Sequence, residues 1–175
     1  MINAKANPLL AKTEQAVRAK VPPDQMKAFE KIIAAGVKVM YSEGMHKLIL
    51  QQFQSNDNPA EAAGEGAAKL MGILINQSKG TMPMEAGMPA SDVILLEILD
   101  MLDELGKLKV DKNTLAEAAQ SKASALMQLF GITPQKLDQM MAQAQQKKQP
   151  EQAQPAPQQT PQPQQQPRGL IGAPA

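Results

Sequence analysis

The chain has 175 residues, with 18 Lys or Arg against 17 Asp or Glu, so its formal net charge is +1. It contains 0 Cys, 1 His and 0 Trp against 12 Met and 14 Pro. That excludes a disulfide framework, a thiolate nucleophile, an iron–sulfur cluster, a Cys-based zinc site and any centre needing two imidazoles, and near neutrality argues against wholesale nucleic-acid binding.

Apolar residues in the first 142 positions recur at three and four rather than two, which predicts helices. Asn7 and Pro8 read as a cap and a first-turn proline, opening PLLAKTEQAVRAK with Leu9, Leu10, Thr13, Ala16 and Val17 on one side. Pro22 and Pro23 stop that helix. The next begins near Asp24 and presents Met26, Phe29, Ile33, Val37 and Met40, then Met45, Leu48, Ile49 and Phe53. A bend at Ser42, Glu43 and Gly44 leaves open whether this is one long helix or two.

Asn58, Pro59 and Glu61 supply a cap, a first-turn proline and an acid for a third segment, roughly 59–77. Its Gly64, Ala68 and Gly72 lie four apart on one face, where another backbone can approach closely. Each glycine costs up to ~1 kcal/mol relative to alanine, so either packing compensates or the segment is loose. Asn76 to Pro89 reads as a long loop from Gly80, Pro83, Gly87 and Pro89. Its Met82, Met84 and Met88 either plug a gap in the core or form an adaptable contact surface.

DVILLEILDMLDELGKL is the most apolar segment, with Asp92, Glu97, Asp100, Asp103 and Glu104 as a narrow acidic stripe that reads as solvated. Such a helix belongs at the centre of a bundle. About 14 residues at ~1.5 Å each reach only about 21 Å, short of the ~30 Å of a bilayer interior, so no transmembrane helix is predicted. Gly106 ends the helix. Thr114 and Glu117 form a capping box for the next, with Leu115, Ala119, Leu126, Leu129 and Phe130 inward and Gly131 as its C-cap. Thr133 and Pro134 open a last helix with Leu137, Met140 and Met141 on its apolar side.

The final 33 residues, 143–175, hold 7 of the prolines and 12 glutamines. They cannot bury enough apolar surface to offset ordering entropy and read as a disordered tether. The tether ends in RGLIGAPA, either a frayed terminus or a docking peptide in which Leu170 and Ile171 fill pockets and Arg168 meets a carboxylate. The fold expected is therefore all-α: a compact bundle of five to six helices over 1–142, and a Pro/Gln-rich tail over 143–175.

Charge is segregated: residues 1–40 sum to +4 and residues 85–104 to −6. A basic helix packed on an acidic one accounts for this, and the same complementarity can operate between subunits. DNA binding through Lys5, Lys12, Arg18, Lys20 and Lys27 is weakly supported, because no aromatic residue is interleaved for stacking.

The search for chemistry gives no catalytic, metal or cofactor site. His46 lies in EGMHKLIL at the flank of a helix, with no Cys to activate. The carboxylates of 92–104 share one helix without the loop geometry of a Mg²⁺ or Ca²⁺ site, and no glycine-rich nucleotide motif follows a strand. MINAKANP lacks the apolar core of a signal peptide. The reading is of a non-enzymatic protein.

KVMYSEGMHKLILQQF, then INQSKGTMPM ahead of an apolar helix, and a Pro/Gln tail ending in GLIGAPA give the chain its character. From about Asn7 to Leu105 it resembles small structural proteins of short-tailed bacteriophages. The resemblance implies a partner-binding role in a multi-copy assembly, as an internal protein released with DNA, a scaffolding protein or a portal or tail component. It carries over no functional residue. The chain lacks the long, highly charged helix and strongly basic C-terminus of a scaffold, which favours a virion component made in the host cytoplasm. Its expected partners are other virion proteins and copies of itself, through the small-residue helix and the methionine segment. A scaffold or assembly chaperone, and a membrane-active ejection component using the 92–104 helix, are the alternatives.

Overall fold

The computed structural model describes residues 6–55 and 57–132, and within them the chain is all-helical. The six helices are α1 (Pro8–Arg18), α2 (Met26–Met40), α3 (Glu43–Ser55), α4 (Pro59–Gln77), α5 (Met84–Glu104) and α6 (Lys112–Leu129). The predicted helix from Pro134, the 143–175 tail, and Arg168, Leu170 and Ile171 lie outside the described residues.

Helix ends follow local chemistry. The Asn7 side chain accepts from the Leu9 amide at 3.0 Å, ahead of Pro8. Its amide nitrogen reaches the far end of the body, donating to Asp103 Oδ2 at 2.8 Å and to the Val110 carbonyl at 3.1 Å. One cap residue thus fastens α1 to the exit of α5. The bend at Ser42 proves to be a break between two helices. The Ser42 hydroxyl donates to the Val39 carbonyl at 2.7 Å, closing α2, while its own carbonyl accepts from His46 N at 2.8 Å, opening α3.

Asn58 caps α4 by accepting from the Ala60 and Glu61 amides at 3.1 and 3.3 Å. Gly106 and Gly131, with φ of 63° and 64°, close α5 and α6 in paired C-terminal turns, Lys107 N donating to Leu102 O and Ile132 N to Met127 O. This is the Schellman arrangement that glycine's access to left-handed φ permits.

Two boundaries differ from expectation. α5 begins at Met84, so the connection after α4 is six residues long rather than fourteen, and Met84 and Met88 are helical. Pro89 lies inside the helix, where it forfeits one backbone hydrogen bond. Ala86, Gly87, Ala90 and Ser91 are all buried in that first stretch, and their packing outweighs the local cost. The cap of α6 is Asp111, three residues before the predicted Thr114, because its carboxylate already accepts from the Asn113 and Thr114 amides at 2.9 and 3.0 Å. Those bonds, the Thr114 amide first, hold the Asp111 carboxyl below its ordinary pKa.

α5 is the centre of the bundle, as its composition predicts: it packs on α1, α2, α4 and α6, and nearly every residue from Val93 to Leu102 is buried. Phe29, Ile33 and Met40 of α2 and Leu10 of α1 complete the core. α4 runs antiparallel to α5, with Gly87 beside Met71 and Ile98 near Gly66. α6 returns parallel to α4, matching Glu61 with Ser121 and Gly72 with Leu129.

Candidate interaction surfaces

The small-residue face of α4 is consumed inside the molecule. A Cβ at Gly64 would collide with the Ala118 carbonyl oxygen and come within 2.7 Å of Lys122 N and Ser121 Cβ. Ala68 is 3 % exposed, and a Cβ at Gly72 would meet Leu129 Cδ2 at 3.2 Å. Gly64 and Gly72 thus lie on a seam with α6, with Ala68 buried between them, so the segment is closely packed rather than loose. Ser121 Oγ donates to the Glu61 carbonyl at 2.9 Å across it.

Beside the seam is a polar centre that the sequence conceals. Lys122 is 5 % exposed, and its Nζ donates to Ser91 Oγ at 3.2 Å and pairs with Asp92. Ser91, fully buried, donates in turn to the Met88 carbonyl at 2.6 Å. The buried row of α6 is Ala118, Lys122 and Leu126: of the residues predicted inward, Leu126 is buried and Leu115 packs on the core, whereas Ala119 is exposed, Leu129 is 51 % exposed and Phe130 39 %. The four-residue spacing of Ala118, Lys122 and Leu126 was the available signal, masked by the expectation that lysine faces water.

The acidic stripe of α5 is more engaged than a solvated face. Asp92 meets Lys122, Asp103 accepts from Asn7, and Glu97 is 9 % exposed. Asp100, Asp103 and Glu104 flank the amino end of α1, where negative charge is favoured by the helix dipole. Arg18, considered for DNA, is committed to Glu14 at 2.7 Å and to Glu30, and lies over the Phe29 ring at 5.4 Å. His46 stacks on Tyr41 with ring centroids 6.2 Å apart, and its Nδ1 has no hydrogen-bond partner.

The methionines divide. Met82 packs on the core and touches the Gly87 position, where a Cβ would come 3.2 Å from its sulfur. Met84 and Met88 are 40 % and 44 % exposed, one turn apart on the outer face of α5. Met82 thus fills the core, and Met84 and Met88 do not.

What remains open is a groove of about 470 Å³ on the other side of α4, with Ile32, Leu74, Met82 and Pro83 as its apolar lining and Lys31 on its edge. A second, polar cleft of about 360 Å³ lies over the seam, lined by Glu61, Glu65, Glu117 and the Gln and Ser side chains of α6. Among the described residues, no three His, Asp or Glu side chains converge as metal ligands, and no helix is long and apolar enough to cross a membrane. No protein-family model, curated protein or solved structure matches the chain.

Proposed function

We propose that the protein is a non-enzymatic, multi-copy component of a short-tailed bacteriophage particle, acting through protein–protein contacts in the virion. The observation that supports this most is where apolar surface is left over. Tyr41, Met84, Met88, Leu105, Leu129 and Phe130 stand 39 to 54 % exposed on a body whose core is otherwise closed. Polarizable and aromatic side chains are the types that anchor protein contacts. The membrane-active alternative requires α5 to leave the four helices that cover it, and no second reading is favoured by a specific observation.

Mass spectrometry of purified particles tests the proposal. The chain is expected at many copies per virion, encoded beside portal or terminase genes. Its presence in assembling particles but not in mature ones would transfer the assignment to a scaffold, and its absence from both would overturn it.

A further inference from the structure

Two faces of the molecule are complementary. On α2, Lys27, Lys31 and Lys38 recur at spacings of four and seven, which places them on one face of the helix. All three are exposed, and no carboxylate of the described residues pairs with them. Lys31 lines the apolar groove, whose floor residues Ile32 and Leu74 are 8 % and 4 % exposed and whose far rim is Gln77, Ser78 and Thr81, and Lys27 and Lys38 continue the row along α2 on either side of it.

The other face lies over the seam. Glu61 and Glu117 are exposed and without a cation partner, Glu117 accepting only from the Asn58 amide at 2.6 Å; Glu65 faces Lys69 at 3.5 Å. At the carboxyl end of the same α6 stand the exposed Leu129 and Phe130. On α4, Glu61 and Glu65 sit roughly half a turn from Leu74 and Gln77, so one molecule presents both faces on opposite sides.

We infer that two copies associate head to tail, with the Leu129–Phe130 end of α6 from one seated in the α2–α4 groove of the other, and Glu61, Glu65 and Glu117 facing Lys27, Lys31 and Lys38. This rests on the multi-copy reading above and adds the surfaces that mate. A groove of about 470 Å³ accommodates an aromatic and an aliphatic side chain. A nucleic-acid backbone would satisfy the lysines but leave the apolar floor uncovered. Because unlike faces meet, each copy added leaves one of each face free, and the product is a ring or an open filament rather than a closed dimer.

Sedimentation velocity on the full chain, in low and in high salt, tests the inference. The unmodified chain associates in low salt and dissociates as salt screens the charge rows. The pair Lys27→Glu and Lys31→Glu, in one variant, and the pair Glu61→Lys and Glu117→Lys, in another, each sediment as monomers, and mixing the two restores association. Phe130→Ser weakens association roughly tenfold or more while leaving the melting curve in place. A monomer at every concentration in low salt overturns the inference, as does a mixture that stays monomeric although both variants melt like the parent. Loss of binding to duplex DNA or anionic vesicles in the lysine variant, with association intact, overturns it in favour of a polyanion site. If the charge-swapped glutamates unfold the chain, Phe130→Ser and the lysine variant still decide. Detection in particles is independent of all these outcomes, so a failed contact and a failed virion assignment are told apart.

Discussion

The seam between α4 and α6 and the groove between α2 and α4 use the same helix in opposite ways. In the seam, side chains have been removed: Gly64 lies on the Ala118 carbonyl, Ala68 is buried, and the polar atoms of Ser121 are satisfied by the Glu61 backbone. In the groove, side chains are present but uncovered, with Ile32 and Leu74 at the bottom and Lys31 at the edge. Small residues four apart build one closed parallel helix pair, while the surface left open is marked by unpaired lysines and exposed large apolar residues. A stripe of glycines is therefore a sign of close packing, and says nothing by itself about whether the neighbour is another chain.

Substitutions separate the two regions by the size of their effect on stability. Leu99→Ala, in the fully buried α5 centre that both regions share, lowers unfolding free energy by about 2–5 kcal/mol in chemical denaturation. Gly64→Ala follows at about 2–3 kcal/mol, because the added methyl meets backbone atoms that cannot move without shifting a helix. At Lys122 the outcome depends on the replacement. Lys122→Ala loses the buried stem and costs about 1–3 kcal/mol, whereas Lys122→Met keeps the volume and stays within about 1 kcal/mol of the parent. Asp92, whose side chain is 48 % exposed, can rehydrate once its partner is gone. A large loss in Lys122→Met would mean that the ion pair, rather than the packing around it, holds α6.

Asn7→Asp removes two donated hydrogen bonds and sets a carboxylate against Asp103, for a loss of about 1–3 kcal/mol. Met88→Ser, on the open side, changes stability by less than about 0.5 kcal/mol. Asp111 supplies the pH-dependent test. Its carboxyl is more acidic folded than unfolded, so its contribution is present above the unfolded value and is lost as pH falls through the folded one. The protection of the Asn113 and Thr114 amides against hydrogen exchange, relative to their intrinsic rates at each pH, is expected to fall in that acidic window, well before the α5 core opens, and Asp111→Asn would remove the dependence.

Much of the architecture is legible in residue order alone. Caps at Asn7 and Asn58, stops at Gly106 and Gly131 and the greasy run from Val93 to Leu102 report local chemistry, and local chemistry is what sequence patterns encode. The misread positions are those where tertiary contact wins. Gly87 and Pro89 mark a loop in isolation, yet Gly87 lets Met71 and Met82 close on α5. Lys122 breaks an apolar row that is nonetheless buried, because Ser91 and Asp92 wait opposite it on α5. Leu129 and Phe130 continue the apolar pattern of α6, but only one side of Leu129 meets Gly72 and both residues stay largely exposed at the helix end. Of the surfaces, the exposed methionines were foreshadowed by the sequence. The α2 groove was not, since it is assembled from a helix face, a helix end and a turn distant in the chain.

The small-residue seam closes one molecule, and the proposed association uses other faces. Denaturant unfolding of Gly64→Ala, run over a series of protein concentrations in high salt, tests it directly. The predicted result is a loss of about 2–3 kcal/mol that is the same at every concentration. A variant as stable as the parent but defective in self-association would place the seam between chains and contradict the account.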